Sequence, residues 1–175
     1  GWSDAARQSA LGRLREMGLP GRRDEYWKFT RPDTLAQVEP PKAGLFHSDE
    51  APMYDGIDRL RIVFVDGEFD AAQSDDLALE GVSIERLAEV GAKDIHWAKD
   101  LYGALEARGQ VPVARPFAAL NTAFAEDGVL IHVTGKPSKP INLVYAHRST
   151  TSDAMLHNVI RVESGAEATI LESAP

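Results

Sequence analysis

Five histidines carry most of the chemistry open to this chain: His47, His96, His132, His147 and His157. Imidazole ligates metals and exchanges protons near neutral pH. No two of the five have the close helical spacing of a zinc protease, and there is no HExxH motif. His132, His147 and His157 fall on or beside successive strand-like segments, where they could converge with Asp153 on a metal ion. These three are the metal candidates. Nothing in their spacing requires a metal, so the plainer expectation is three separate histidines and no metal.

Other chemistry is thinner. Asp66, Glu68 and Asp70 flank one turn and could hold a hard cation, but the rest of a calcium loop is absent. A solvated hairpin is the expectation there. Gly135-Lys136-Pro137 has the look of the end of a phosphate loop, yet Pro removes a backbone donor, and neither GxxxxGK[ST] nor GxSxG occurs. The chain has no cysteine, which excludes thiolate nucleophiles, disulfides and cysteine-held zinc or iron–sulfur centres within it. The sequence predicts no catalytic residue and no cofactor-binding residue, and hence no enzyme.

The elements that position these residues come next. With 175 residues, 43% hydrophobic and 26% charged, the chain suits one globular domain, or one domain with an appendage. A formal net charge of −8 disfavours nucleic acid, whose binding needs a basic surface. The mixed segment Arg22-Arg23-Asp24-Glu25-Tyr26-Trp27-Lys28-Phe29 is therefore read as aromatic anchors on a core rather than a single-strand binder. No apolar run is long enough to span a membrane and no signal peptide is evident, so a cytoplasmic location is expected. The opening residue, Gly1 in place of Met, suggests a processed or engineered product.

Ser3 and Asp4 can start a helix whose stripe is Ala6, Ala10, Leu14 and Met17, stopped by Gly18 and Pro20. Residues 36–59 read as a loop punctuated by proline and glycine. Arg61 to Val65 is a buried strand, and Asp66-Gly67 turns it into a short return arm. A further short strand is expected at Val82 to Ile84. Asp94 can cap a helix presenting Ile95, Ala98, Leu101, Tyr102 and Leu105, and Pro116 opens another carrying Phe117, Leu120 and Phe124. From Val129 the pattern changes to strands: 129–133, 141–146, 156–163 and 168–171, with turn residues between them. That spacing suits a sandwich, a barrel or a β-solenoid. A last strand so near Pro175 leaves an open edge, which either pairs with a second copy or marks a chain that continues.

Four segments in order resemble the SufD branch of the SufB/SufD family, scaffold proteins of SUF iron–sulfur cluster assembly. They are Gly18-Leu19-Pro20 through Trp27-Lys28-Phe29-Thr30, similar to a GLP…WKYT pattern with Phe29 in place of tyrosine; Ile62 to Gly67; Phe117 to Phe124 with Asn121, followed by Gly128 and Ile131 to Val133; and His157 to Ile170 with Gly165. The WKFT-type segment favours SufD over its paralogue SufB. The resemblance implies an α+β chain: an N-terminal mainly helical region, 1–128, with a short strand and hairpin near 61–70, then the first rungs of a right-handed parallel β-helix, 129–175, cut short. It implies a non-catalytic scaffold whose full-length form works with a SufB-like paralogue and a SufC-like ABC ATPase, with cluster and ATP handled only at the level of that complex. Trp27, Lys28, Phe29, Asn121 and Gly165 enter as resemblance markers with packing or backbone roles. The family's cluster-building and ATPase-contact residues belong to regions this chain does not contain. Two other readings remain beside it. One is a β-helix carbohydrate-active enzyme. The other is a stand-alone interaction module that docks through Tyr26 to Phe29.

Overall fold

The computed structural model describes residues 1–21, 27–39, 41–45 and 51–175. The fold is α+β, with four helices and two small mixed sheets among these residues. Arg22 to Tyr26 and His47, read above, lie outside the described residues. None of the described helices is long and apolar enough to cross a membrane. Two compact units emerge, each assembled from two stretches of chain: Gly1–Lys42 with Ala88–Glu126, and Ala43–Leu87 with Asp127–Pro175. The strand and hairpin near 61–70, grouped above with the helical region, belong to the second unit because their partners are later strands.

The first unit rests on α1 (Asp4–Met17) against α4 (Pro116–Phe124). Ala10 and Ala119 are fully buried, and residues this small let two helices approach closely. Ser3 is not the expected side-chain cap; its hydroxyl accepts from Arg7 Nε at 3.3 Å instead. Pro116 takes the first helical turn of α4, where its missing N–H costs nothing. The helix expected from Asp94 is largely absent. Residues 97–103 run as turns, and only α3 (Ala104–Arg108) is helical. Gly103, at φ 72°, interrupts the helical path, and of the expected stripe Ile95 and Leu105 face solvent while Ala98 and Tyr102 are buried. A one-turn helix, α2 (Leu87–Val90), precedes this stretch.

Aromatic side chains organise this unit. Trp2 is buried, donates Nε1–H to the Val90 carbonyl at 2.8 Å, stacks on His96 and meets Tyr102 edge-on. Tyr102 donates to the Thr122 carbonyl at 2.8 Å. Each polar tip thus finds a partner while the rings are buried. Arg13 forms a two-pronged pair with Glu106, whose side chain is almost wholly buried.

The second unit has two sheets. One has the order β2-β1-β5-β7, from β1 (Leu60–Val65), β2 (Glu68–Phe69), β5 (Ile141–Ala146) and β7 (Ile170–Ser173). The other has the order β3-β4-β6, from β3 (Val82–Arg86), β4 (Val129–Val133) and β6 (Val159–Val162). Asp66 and Gly67, both at positive φ, make the two-residue turn from β1 to β2. β1, β5 and β7 are parallel, as are β4 and β6. Leu60, Ile62, Phe64, Ile84, Val129, Ile131, Val133, Ile141 and Leu143 form one buried cluster. Their alternation along β1, β4 and β5 is what the pleat requires of a single inward face.

From β4 onward the chain alternates between sheets: β4, then β5 in the other sheet, then β6 back beside β4, then β7 back beside β5. Leu130 lies opposite Val159 and Ile141 opposite Ile170, each 29 positions on. The isolated bridge from Asp127 to Leu156 has the same spacing. The sixth strand is shorter than the expected 156–163 segment, with only that bridge at its start.

Candidate functional site

The three candidate histidines are not brought together. His132, on β4, has Nε2 2.7 Å from Glu163 Oε1, and Arg161 Nε approaches the same oxygen at 2.8 Å. His132 and Arg161 are register partners across β4 and β6, so the sheet itself sets this cluster. Hydrogen bonding from His132, helped by Arg161, holds the Glu163 carboxyl below its ordinary range. His147 is exposed beyond β5, with Nδ1 3.7 Å from Asp66 Oδ1. His157 lies on the β5–β6 connection, where its N–H donates to the Asp127 carbonyl. Asp153 is exposed. Among the described residues, no three His, Asp or Glu side chains are grouped to hold a metal ion. Convergence fails because these histidines are fixed by separate strand and turn contacts.

The acidic turn also has a structural task. Asp66 accepts from the backbone N–H groups of Ser149 and Arg148 at 3.0 and 2.9 Å. Those bonds hold its carboxyl below the usual carboxylate range and tie the β1–β2 turn to the end of β5. Asp70 is lowered in the same way, first by the Gln73 side chain and then by its N–H. Glu68 stands apart from both networks, at the start of β2. Asp66 and Asp70 hold loops in place with their carboxylates, and among the described residues the three acids are not grouped as a cation cage.

Several polar groups that hold the second unit together escaped the sequence reading. Asn142, fully buried on β5, accepts from Arg59 Nε at 3.0 Å and donates to the Leu171 carbonyl at 3.1 Å. Asp127, also buried, takes the Arg86 guanidinium, whose other side covers the Phe69 ring at 4.2 Å. Asn158 donates to Tyr145 Oη, which donates in turn to Glu172. Tyr145 is pushed far above the ordinary phenol range, first by burial and then by Glu172. The partners are 13 to 83 positions apart, so no local pattern announces them. None of these sets combines a nucleophile with a base in an accessible cleft.

An open groove of about 500 Å³ lies where the β4–β5 and β6–β7 connections meet. Lys136, Lys139, Ser138, Glu167 and Thr169 are among the residues lining it. Lys136 pairs with Glu167 and Lys139 with Asp58, so its cations are already neutralised.

The resemblance markers separate by environment. Trp27 is half-buried and meets Phe117 edge-on at 5.1 Å, whereas Lys28 and Phe29 are exposed. Asn121 contributes its backbone carbonyl to the last hydrogen bond of α4, from Ala125 N–H at 2.8 Å. Gly165, at φ 78°, is the third residue of the turn closed by Ala166 N–H on the Glu163 carbonyl, a conformation that favours glycine.

What these arrangements do is hold strands and loops in register. No curated protein matches the chain significantly. The model of the SufBD protein N-terminal region matches residues 54–142, half of the chain and most of the second unit's first stretch together with α3, α4 and β4, and the chain accordingly belongs to the SufBD family.

Proposed function

We propose that this chain is part of a SufD-like, non-catalytic scaffold subunit that serves SUF iron–sulfur cluster assembly in the cytoplasm. The family match over residues 54–142 carries the reading. The WKFT-type segment at Trp27 to Thr30 favours the SufD branch over SufB. The partners are a SufB-like paralogue and a SufC-like ABC ATPase. Cluster and ATP are bound at the level of the complex, since this chain has no thiolate to offer a cluster.

In this reading β4 to β7 begin a right-handed parallel β-helix. The constant 29-residue spacing between parallel partners in both sheets supports it, because a solenoid stacks equal coils. Buried Asn142, bonded to the next strand's Leu171 carbonyl, supports it as a contact between successive coils. Gly165 and the His132–Glu163–Arg161 cluster would then fix a corner and an outer face.

The test is affinity purification of the tagged full-length protein from its own cells. Recovery of an ABC-type ATPase with a second SufBD-family subunit, in stoichiometric amounts, is expected. Recovery of the protein alone, at salt low enough to keep such complexes, would sink the reading.

A further inference from the structure

Residues 27–38 form a held loop with Phe29, Leu35 and Val38 on the outside. Trp27 packs on Phe117, and Pro32 is buried. Between these two anchors the chain turns, with Thr30 N–H on the Trp27 carbonyl at 3.1 Å, and Phe29 stands 94% exposed. Two further backbone bonds, Leu35 N–H to Pro32 and Ala36 N–H to Asp33, shape the segment that follows. Leu35 and Val38 are exposed there as well. A ring left in water forgoes the burial that favours folding, about 25 cal/mol per Å² of apolar surface. Nothing in the local hydrogen bonding forces Phe29 outward, and Trp27 two positions earlier does reach the core.

The charges beside it point the same way. Lys28 Nζ lies over the Phe29 ring, 5.5 Å from its centre, and exposed Arg31 follows the turn. Among the described residues, neither cation forms a salt bridge with an acid. Aromatic side chains and arginine are the residues that dominate protein interfaces, and an anchored turn presents them with little ordering cost.

We propose that Phe29, flanked by Lys28 and Arg31, is a docking element for a partner protein whose surface offers an apolar pocket rimmed by carboxylates. Phe29 fills the pocket, and the two cations meet the rim. Trp27 acts as a positioning residue, holding the turn from beneath. A partner protein fits better than RNA or an anionic membrane, because two cations beside one ring are few for a polyanion and the chain as a whole carries a net charge of −8. The inference does not depend on the iron–sulfur reading and survives or fails separately from it.

The test begins with the photo-crosslinker p-benzoylphenylalanine at position 29 of the full-length protein in its own cells, with position 34, exposed on the same segment, as control. A protein adduct specific to position 29 is then purified and titrated against the unmodified protein. Capture counts only through that titration. Phe29→Ser is expected to weaken binding about tenfold or more, Phe29→Tyr to keep most of it, and Lys28→Glu with Arg31→Glu to weaken it further. Affinity is expected to fall as salt rises. Far-UV CD and the melting temperature of Phe29→Ser should match the parent, since the ring is exposed. Equal capture from positions 29 and 34, an adduct with RNA or lipid, or an affinity indifferent to Phe29→Ser would each overturn the proposal.

Discussion

The helical unit and the sheet unit dispose of their apolar surface in opposite ways. In the sheet unit, nine apolar side chains from β1, β3, β4 and β5 share one buried cluster. In the helical unit the core is a set of anchors, Trp2, Ala10, Ala98, Tyr102 and Ala119, while Phe29, Leu35, Val38, Ile95, Leu105 and Val111 face water. Charge divides as unevenly. The helical unit's two stretches hold 12 Lys and Arg against 11 Asp and Glu; the sheet unit's hold 7 against 16. A pleated face places alternate residues on one side, so strands collect their apolar residues together. Short helices and turns joined by glycine and proline scatter them. The sheet unit thus gathers its apolar surface inside, and the helical unit leaves more of it in water.

The sharpest way to break the sheet unit is at Gly128. Its φ of 151° favours glycine, and a Cβ there would overlap the His157 carbonyl and backbone. Gly128→Ala is expected to cost about 3 kcal/mol or more, read as loss of the urea-unfolding midpoint or of soluble protein. Wild-type stability would remove this account of the β4–β6 approach.

Next comes the cluster itself. Ile131→Ala should destabilise by about 2–5 kcal/mol, because close-packed neighbours refill only part of the space. Hydrogen exchange followed by mass spectrometry would locate the effect. Amides of β4 and β5 should lose protection, and those of α1 should change less. Equal loss in α1 would mean that the two units open together and would weaken the contrast drawn above.

Gly165→Ala is milder. Its φ of 78° strains any other residue, but no atom lies where the Cβ would go. A cost of about 1 kcal/mol is expected, with no change in fold by CD.

The smallest effect is acid sensitivity in the sheet unit. Asp66 is lowered by the Ser149 and Arg148 N–H groups, Asp70 by Gln73, and Asp75 by Arg61. Each folded-state pKa lies below the unfolded value of about 3.9, so the unfolded chain binds more protons between the two. Their contribution is present above the unfolded pKa and disappears as pH falls through the folded value. Melting followed from pH 6 to pH 2 should show the sheet transition shifting downward below about pH 4, less so in an Asp66→Asn variant. A variant that shifts as much as the parent would remove Asp66 from this account.

The strands were legible where local chemistry decides the outcome. Arg61 to Val65 is a β-branched apolar run ending in Asp66-Gly67, and that dipeptide supports two successive positive φ values. Helix α4 announced itself through Pro116 and the spacing of its apolar residues. The helix expected from Asp94 failed for a reason the pattern could not contain. A stripe at helical spacing states which residues suit one face, yet only Ala98 and Tyr102 find something to pack on, and Gly103 ends the path. The candidate histidines are a parallel case. Histidines on or beside successive strands can share a face or not, and here turns and register give His132 to Glu163 and bring His147 near Asp66.

By itself, then, the sequence determined the residue classes and the family: no thiolate chemistry, an acidic chain, a helical beginning, strands from Val129, and the segments that resemble SufB and SufD. These follow from composition and short-range spacing, which act through a residue's own backbone preferences and its nearest neighbours. Tertiary structure alone decided that β1 lies beside β5, that strands 29 residues apart pair, that Arg86 covers Phe69 and closes on Asp127, and that Trp27 turns inward while Phe29 turns out. Each of these depends on where a distant part of the chain has come to rest, and burial and register are properties of that meeting, not of either segment before it.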